Sequence, residues 1–165
     1  MEKNYAVVSI DMQTKCLNSL GENSEIEHIV NSHKKVMQTA VSTNTPIFLV
    51  EFFGYGKMRK ELLDFHEKNN AGLYIKNKKN AFSNDEFRSR LNELEITDIV
   101  VMGISANGCI KDTILNSPKN YAFHTSKDTL GIPKAFKQHE KSIMSWYEKN
   151  TNHEMTYKSL IKHFL

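Results

Sequence analysis

Three side chains in this sequence have the types that nucleophilic catalysis needs: an acid, Asp11; a cation, Lys76; and a thiol, Cys109. Each comes at or shortly after the end of a short apolar run, 5–10 for Asp11, 73–75 for Lys76 and 98–104 for Cys109. In an open α/β sheet the binding crevice lies beyond the carboxyl ends of the strands, so these residues converge if the runs are parallel strands. Gly103, Asn107 and Gly108 mark a tight turn into a helix, which places Cys109 at a helix N-terminus. Backbone N–H groups and the helix dipole favour thiolate there, Lys76 adds to that effect, and Asp11 is placed to accept the thiol proton as general base. Taken singly, each residue also fits a plainer role: a lone cysteine packs as a small hydrophobe, an aspartate caps a helix, a lysine is solvated. Their joint placement at strand ends is what favours chemistry.

The elements that must position them are legible as alternating periods. Apolar runs at 5–10, 47–53, 73–75, 98–104 and 121–125 are separated by longer stretches of helical period, the pattern of a parallel sheet with helical crossovers. Ile26, Ile29, Val30, His33, Met37, Ala40 and Val41 share one helix face, and Ser24 with Glu27 reads as its capping box. Ser83 with Glu86 reads the same way before Phe87, Leu91 and Leu94. A later helix is marked by Phe136, His139, Ile143, Trp146 and Tyr147; residues 155–157 suggest a last strand before a short helix at 160–165. The expected fold is a Rossmann-like three-layer α/β sandwich, with a mostly parallel five- or six-stranded sheet flanked by helices, forming one domain over residues 1–165.

Composition narrows the function classes. A formal charge of +3 comes from dispersed lysines, with no basic stripe interleaved with aromatics, so a nucleic-acid partner is not expected. The charged N-terminus and the short apolar run after it predict neither a signal peptide nor a membrane span, and two cysteines without a CxxC pair predict reduced thiols; a cytoplasmic protein is expected. Seven histidines form no HxH or HExxH group.

Three blocks resemble, in order, the isochorismatase-like cysteine hydrolases, a family that includes nicotinamidases, carbamoylsarcosine amidases, ureidoacrylate hydrolases and biuret hydrolases. Residues 6–13, AVVSIDMQ, resemble the first-strand block whose Asp is the family's general base, which maps to Asp11. Residues 75–82, IKNKKNAF, resemble the block in which a Lys precedes an SAF or NAF triplet by four positions, which selects Lys76 over Lys78 and Lys79. Residues 99–110, IVVMGISANGCI, resemble the nucleophile block, with Cys109 six residues after Gly103. The resemblance spans about residues 5–130. It implies a cis peptide between Ile104 and Ser105, an oxyanion site that includes the Cys109 N–H, and cleavage of an amide-like C–N bond through a thioester. It also implies a small-molecule substrate and a homodimer or larger homo-oligomer.

The departures carry information too. Nicotinamidases have a metal-binding Asp-x-His after the second strand, where this chain has Glu51, Phe52 and Phe53, so neither a metal nor another cofactor is expected. The family's usual Thr is Ala106. Members acting on isochorismate lack the Cys, so Cys109 favours C–N over vinyl-ether hydrolysis, the latter being the alternative within the family. Phe53, Tyr55 and Phe82 fall near one sheet edge and are the candidate pocket residues, with core packing the competing reading for Phe82. A non-catalytic member that binds a metabolite or a protein, and a thiol sensor built on Cys109, are the alternatives from other classes.

Overall fold

A computed structural model describes residues 3–118 and 121–165. The strands are β1 (Tyr5–Ile10), β2 (Ile47–Phe52), β3 (Gly72–Lys76), β4 (Asp98–Ile104), β5 (Ala122–Ser126), β6 (Leu130–Gly131) and β7 (Asn152–Glu154). The helices are α1 (Thr14–Asn18), α2 (Asn23–Ser42), α3 (Lys60–Asn69), α4 (Asp85–Glu93), α5 (Lys111–Leu115), α6 (Glu140–Asn150) and α7 (Tyr157–Leu160). All seven strands join one parallel sheet in the order β3-β2-β1-β4-β5-β7, with β6 paired to the end of β4. The architecture is the α/β three-layer sandwich with a mostly parallel sheet that the alternating periods predict. The sheet has one strand more than the expected five or six, because β6 is too short to leave a hydrophobic run.

Alternation along the buried strands divides the core between the two faces of the sheet. Val7, Leu49, Val100 and Met102 face α2, α3 and α7, where they meet Ile29, Val36, Leu62 and Leu160. Ala6, Val8, Phe48, Val50, Ile99 and Val101 face the other way, toward Phe87, Leu91, Ile110, Met144 and Tyr147. Strands buried on both sides must be apolar at nearly every position, which is why β1 and β4 read as continuous runs.

Local signals were less faithful than the runs. Helix α2 starts at Asn23 after Glu22, with no side-chain cap, so the Ser24 and Glu27 box does not form. Helix α4 is capped one residue later than expected, by Asn84, whose side chain accepts from the Phe87 N–H at 2.8 Å; Ser83 instead donates to the Asn80 carbonyl at 2.7 Å. The α4 misplacement picks the wrong member of a cluster of Ser and Asn residues with similar capping ability. Residues 134–139 form a 3₁₀ turn ahead of α6, so Phe136 stays exposed. The last strand is 152–154 rather than 155–157, and Tyr157 opens α7, where Thr156 supplies the cap. Among the described residues no helix is long and apolar enough to cross a membrane.

Candidate active site

The first strand ends at Ile10, and Asp11 then adopts a left-handed backbone (φ 56°), uncommon for a non-glycine residue and frequent where structure over-determines a functional group. Its N–H bonds the Val50 carbonyl at 2.8 Å, fixing it just beyond the β1 end and alongside β2. The neighbouring strand approaches so closely that a Cβ on Gly103 would stand 2.0 Å from the Ile10 carbonyl oxygen. Only glycine fits there, at φ 135°. The Ile104–Ser105 peptide that follows is cis. Residues 106–110 form a π-type turn leading into α5, and this turn carries Cys109.

Lys76 ends the edge strand β3, two strands away from β1, yet its side chain reaches Asp11: Nζ lies 2.9 Å from Oδ2, with both side chains 1% exposed or less. Edge strand β3 inverts the usual sorting, exposing Ile75 at 55% and burying its lysine. Lys78 and Lys79 are exposed. The Lys76 ammonium also donates to the Lys78 carbonyl at 3.3 Å and sits 4.2 Å from the centre of the Phe52 ring.

The half-buried Cys109 thiol interacts with both Asp11 and Lys76. Oδ1 of Asp11 is fully buried and has no hydrogen-bond partner. Burial raises the Asp11 carboxyl above its ordinary value, against the opposing pull of Lys76. Burial, and then the charge of Asp11, pushes the Cys109 thiol up to about 12, with Lys76 again opposing. This corrects the expectation that a helix N-terminus would favour thiolate: α5 has only five residues and begins after Cys109, so desolvation and the adjacent carboxylate outweigh it. The resting arrangement is a thiol beside the buried Asp11–Lys76 pair.

The candidate pocket residues do not gather. Phe53 (73% exposed) and Ile75 line a cavity of about 470 Å³ on the β3 edge, together with Lys76 and Asn84. Tyr55 is exposed and packs on Phe52 at 4.8 Å between ring centres. Phe82 is buried, packed on Tyr121 at 5.4 Å and on Phe87 at 5.5 Å, so the structure places it in the core because α4 closes over it. Cys16 is half-buried in α1, and burial is the main cause that pushes its thiol up to about 11. Where nicotinamidases carry their metal-binding Asp-x-His, the Glu51 carboxylate is occupied by the Met58 N–H at 3.1 Å and Phe53 offers no ligand atom. Among the described residues no group of three or more His, Cys, Asp or Glu side chains is arranged to hold a metal. Residues 51–53 do not supply that donor set.

Two supporting residues escaped sequence reasoning. Gln13, 1% exposed, accepts from the Phe52 N–H at 2.6 Å and donates to the Phe52 and Gly56 carbonyls at 3.0 and 2.6 Å. Tyr147, fully buried on α6, donates to the Ala106 carbonyl at 2.5 Å, in the turn that carries Cys109. Gln13 lies inside the AVVSIDMQ block, which is the one signal that marked it; Tyr147 is 41 residues from its partner, a separation that no local pattern reports.

The isochorismatase domain family matches residues 5–145, most of the chain. No curated protein matches the sequence significantly. Among solved structures, an isochorismatase family protein from Burkholderia thailandensis superposes with a TM-score of 0.84 at 15% identity, covering 99% of this chain and 97% of that one. The N-carbamoylsarcosine amidase of Thermoplasma acidophilum superposes with a TM-score of 0.70 at 16% identity, covering 93% and 95%. The Escherichia coli YcaC protein, described as an octameric hydrolase of unknown specificity, gives 0.79 at 18% identity, covering 96% and 78%. At these identities the neighbours establish the fold; the family match over 5–145 carries the assignment, and this chain belongs to the isochorismatase-like hydrolase family.

Proposed function

We propose that this protein is a metal-independent cysteine amidohydrolase that cleaves a C–N bond of a small amide or ureido compound through a thioester. The observation that carries the reading is the division of labour on Asp11: Lys76 holds Oδ2 at 2.9 Å, Oδ1 is unpartnered, and the carboxyl interacts with the Cys109 thiol. A carboxylate so held has one oxygen oriented and the other available for a proton.

The reaction follows from that geometry. With substrate bound, Oδ1 of Asp11 takes the Cys109 proton as sulfur attacks the carbonyl carbon, so a free thiolate need not accumulate from a thiol pushed up to about 12. Lys76, buried and paired, offsets the negative charge that passes from Asp11 to sulfur. By resemblance, the N–H of Cys109 and the turn after Ile104–Ser105 receive the oxyanion; such donors contribute about 10²-fold or more. Asp11 then returns its proton to the departing nitrogen, and water, deprotonated by Asp11, hydrolyses the thioester. A carboxyl raised by burial is a stronger base than a solvated one, which suits both transfers. The amidase among the structural neighbours supports the C–N class. Exposed Phe53 and Ile75 on the β3 edge, together with the octameric neighbour, support a homo-oligomer, which light scattering tests.

The test is a panel of small carboxamides and ureido compounds followed by intact-mass analysis. A substrate should yield ammonia or amine, and a transient acyl adduct on Cys109 that Cys109→Ala lacks. Turnover retained in Cys109→Ala overturns the reading.

A further inference from the structure

We infer that Phe52 and Gln13 are positioning residues for Lys76, with the Phe52 ring serving as a neutral ligand to its buried ammonium; the inference rests on the catalytic reading of Lys76. A lysine almost never buries its charge fully unless its surroundings replace the water it loses. Here the Lys76 side chain is 0% exposed, and its polar surroundings are the Asp11 carboxylate at 2.9 Å, the Lys78 carbonyl at 3.3 Å and the Cys109 thiol. The Phe52 ring, its centre 4.2 Å from Nζ, closes a further side. An aromatic face attracts a cation through its quadrupole, and the attraction grows when both are desolvated. It adds no charge, so it steadies Lys76 without competing for Asp11.

That contact is built by register and by a clasp. Phe52 pairs with Lys76 in the parallel ladder between β2 and β3, which sets the two side chains side by side on one face at the carboxyl edge. Beyond this point β2 runs out into the loop that leads to Met58, where the Phe53 N–H still bonds the Lys76 carbonyl at 2.8 Å. Gln13 holds it: its amide oxygen accepts from the Phe52 N–H and its amide nitrogen donates to the Phe52 carbonyl, so both backbone groups of one residue are gripped by one side chain. A second donation to the Gly56 carbonyl and an antiparallel bridge from Gln13 to Met58 extend the grip along the loop. Gln13 is two residues after Asp11, so the segment that places the base also places the ring that steadies its cation.

The experiment is a double-mutant cycle read by iodoacetamide alkylation of Cys109, with melting temperatures recorded alongside. Lys76→Met alone should slow alkylation at a fixed pH near 9, because the charge that opposes the rise in the Cys109 pKa is gone. Phe52→Leu, which keeps apolar bulk, should slow it about 3-fold or more in the Lys76 protein, Phe52→Trp should preserve it, and Gln13→Leu should fall with Phe52→Leu. In the Lys76→Met background, Phe52→Leu should have no further effect. Equal slowing with and without Lys76, or no slowing by Phe52→Leu, overturns the positioning role and leaves the catalytic reading intact. An unchanged rate in Lys76→Met overturns both.

Discussion

Two buried acid–base pairs stand at opposite ends of one sheet. At the carboxyl end Asp11 meets Lys76; at the amino end Asp98, the first residue of β4, meets His124 at 2.7 Å. Both pairs are nearly inaccessible, so burial alone does not mark a site. The difference is in how completely each carboxylate is used. Asp98 spends Oδ1 on His124 and Oδ2 on Thr97, the latter at 2.7 Å, and aromatic packing from Tyr5 and the His163 ring surrounds His124. Asp11 spends one oxygen and keeps the other open, beside a thiol. A buried carboxylate with both oxygens taken holds structure, whereas one with an open oxygen near a nucleophile can do chemistry.

The largest effect that would break the comparison is on turnover. Cys109→Ala should abolish hydrolysis, and Asp11→Asn should lower kcat by about 10²- to 10⁴-fold, the usual contribution of a general base. Asp98→Asn should leave kcat within a few-fold of wild type. Steady-state kinetics on the first substrate found decides this; comparable losses from Asp11→Asn and Asp98→Asn would erase the distinction.

Stability should sort differently. Lys76→Met strands a buried carboxylate and should cost roughly 3–5 kcal/mol in denaturant unfolding. Asp98→Asn keeps shape and some hydrogen bonding and should cost roughly 1–3 kcal/mol. A Lys76→Met protein as stable as wild type would mean that Asp11 is neutral in the fold.

A third buried polar group sharpens the contrast on the pH axis. His33 is fully buried on α2, hydrogen-bonded to the Ser9 hydroxyl and the Thr129 carbonyl, both at 3.0 Å, and burial lowers its pKa to about 4 from an ordinary 6.5. The folded protein holds it neutral while the unfolded chain protonates, so stability is present above pH 6.5 and is lost as pH falls from there toward 4. The loss should reach roughly 3 kcal/mol, and His33→Gln should flatten that limb of an unfolding-versus-pH curve. An acid limb identical in the variant would assign it to other groups. The smallest effect belongs to Phe82→Leu, which should cost about 1 kcal/mol and leave Cys109 alkylation unchanged, as fits a core residue; altered alkylation would return Phe82 to the site.

These contrasts also explain what was legible in the sequence. The strands β1 and β4 were readable because burial on both faces forces unbroken apolar runs, and Asp11, Lys76 and Cys109 were findable because each sits at or just past a strand end. Phe82 was left between pocket and core because a run of letters does not say which face of a short 3₁₀ turn meets the core. The acidity of Cys109 was misread for a different reason: proximity to a helix start is visible locally, whereas the burial that opposes it, and then the carboxylate, come from segments as far as nearly a hundred positions away. Gln13 and Tyr147 act through backbone groups of other segments, which composition does not encode.

The central claim is that Cys109 feels Asp11 and Lys76 with opposite signs. The most direct measurement is the pH dependence of iodoacetamide alkylation at Cys109 and Cys16, read by peptide mass spectrometry in wild type, Asp11→Asn and Lys76→Met. In wild type the Cys109 rate should climb without a plateau through pH 10, since burial and the Asp11 charge push its thiol up to about 12. Asp11→Asn should shift the profile to lower pH by removing the negative charge that raises it, and Lys76→Met should shift it higher, with Cys16 moving less in both. Profiles for Cys109 that coincide in all three proteins would contradict the account.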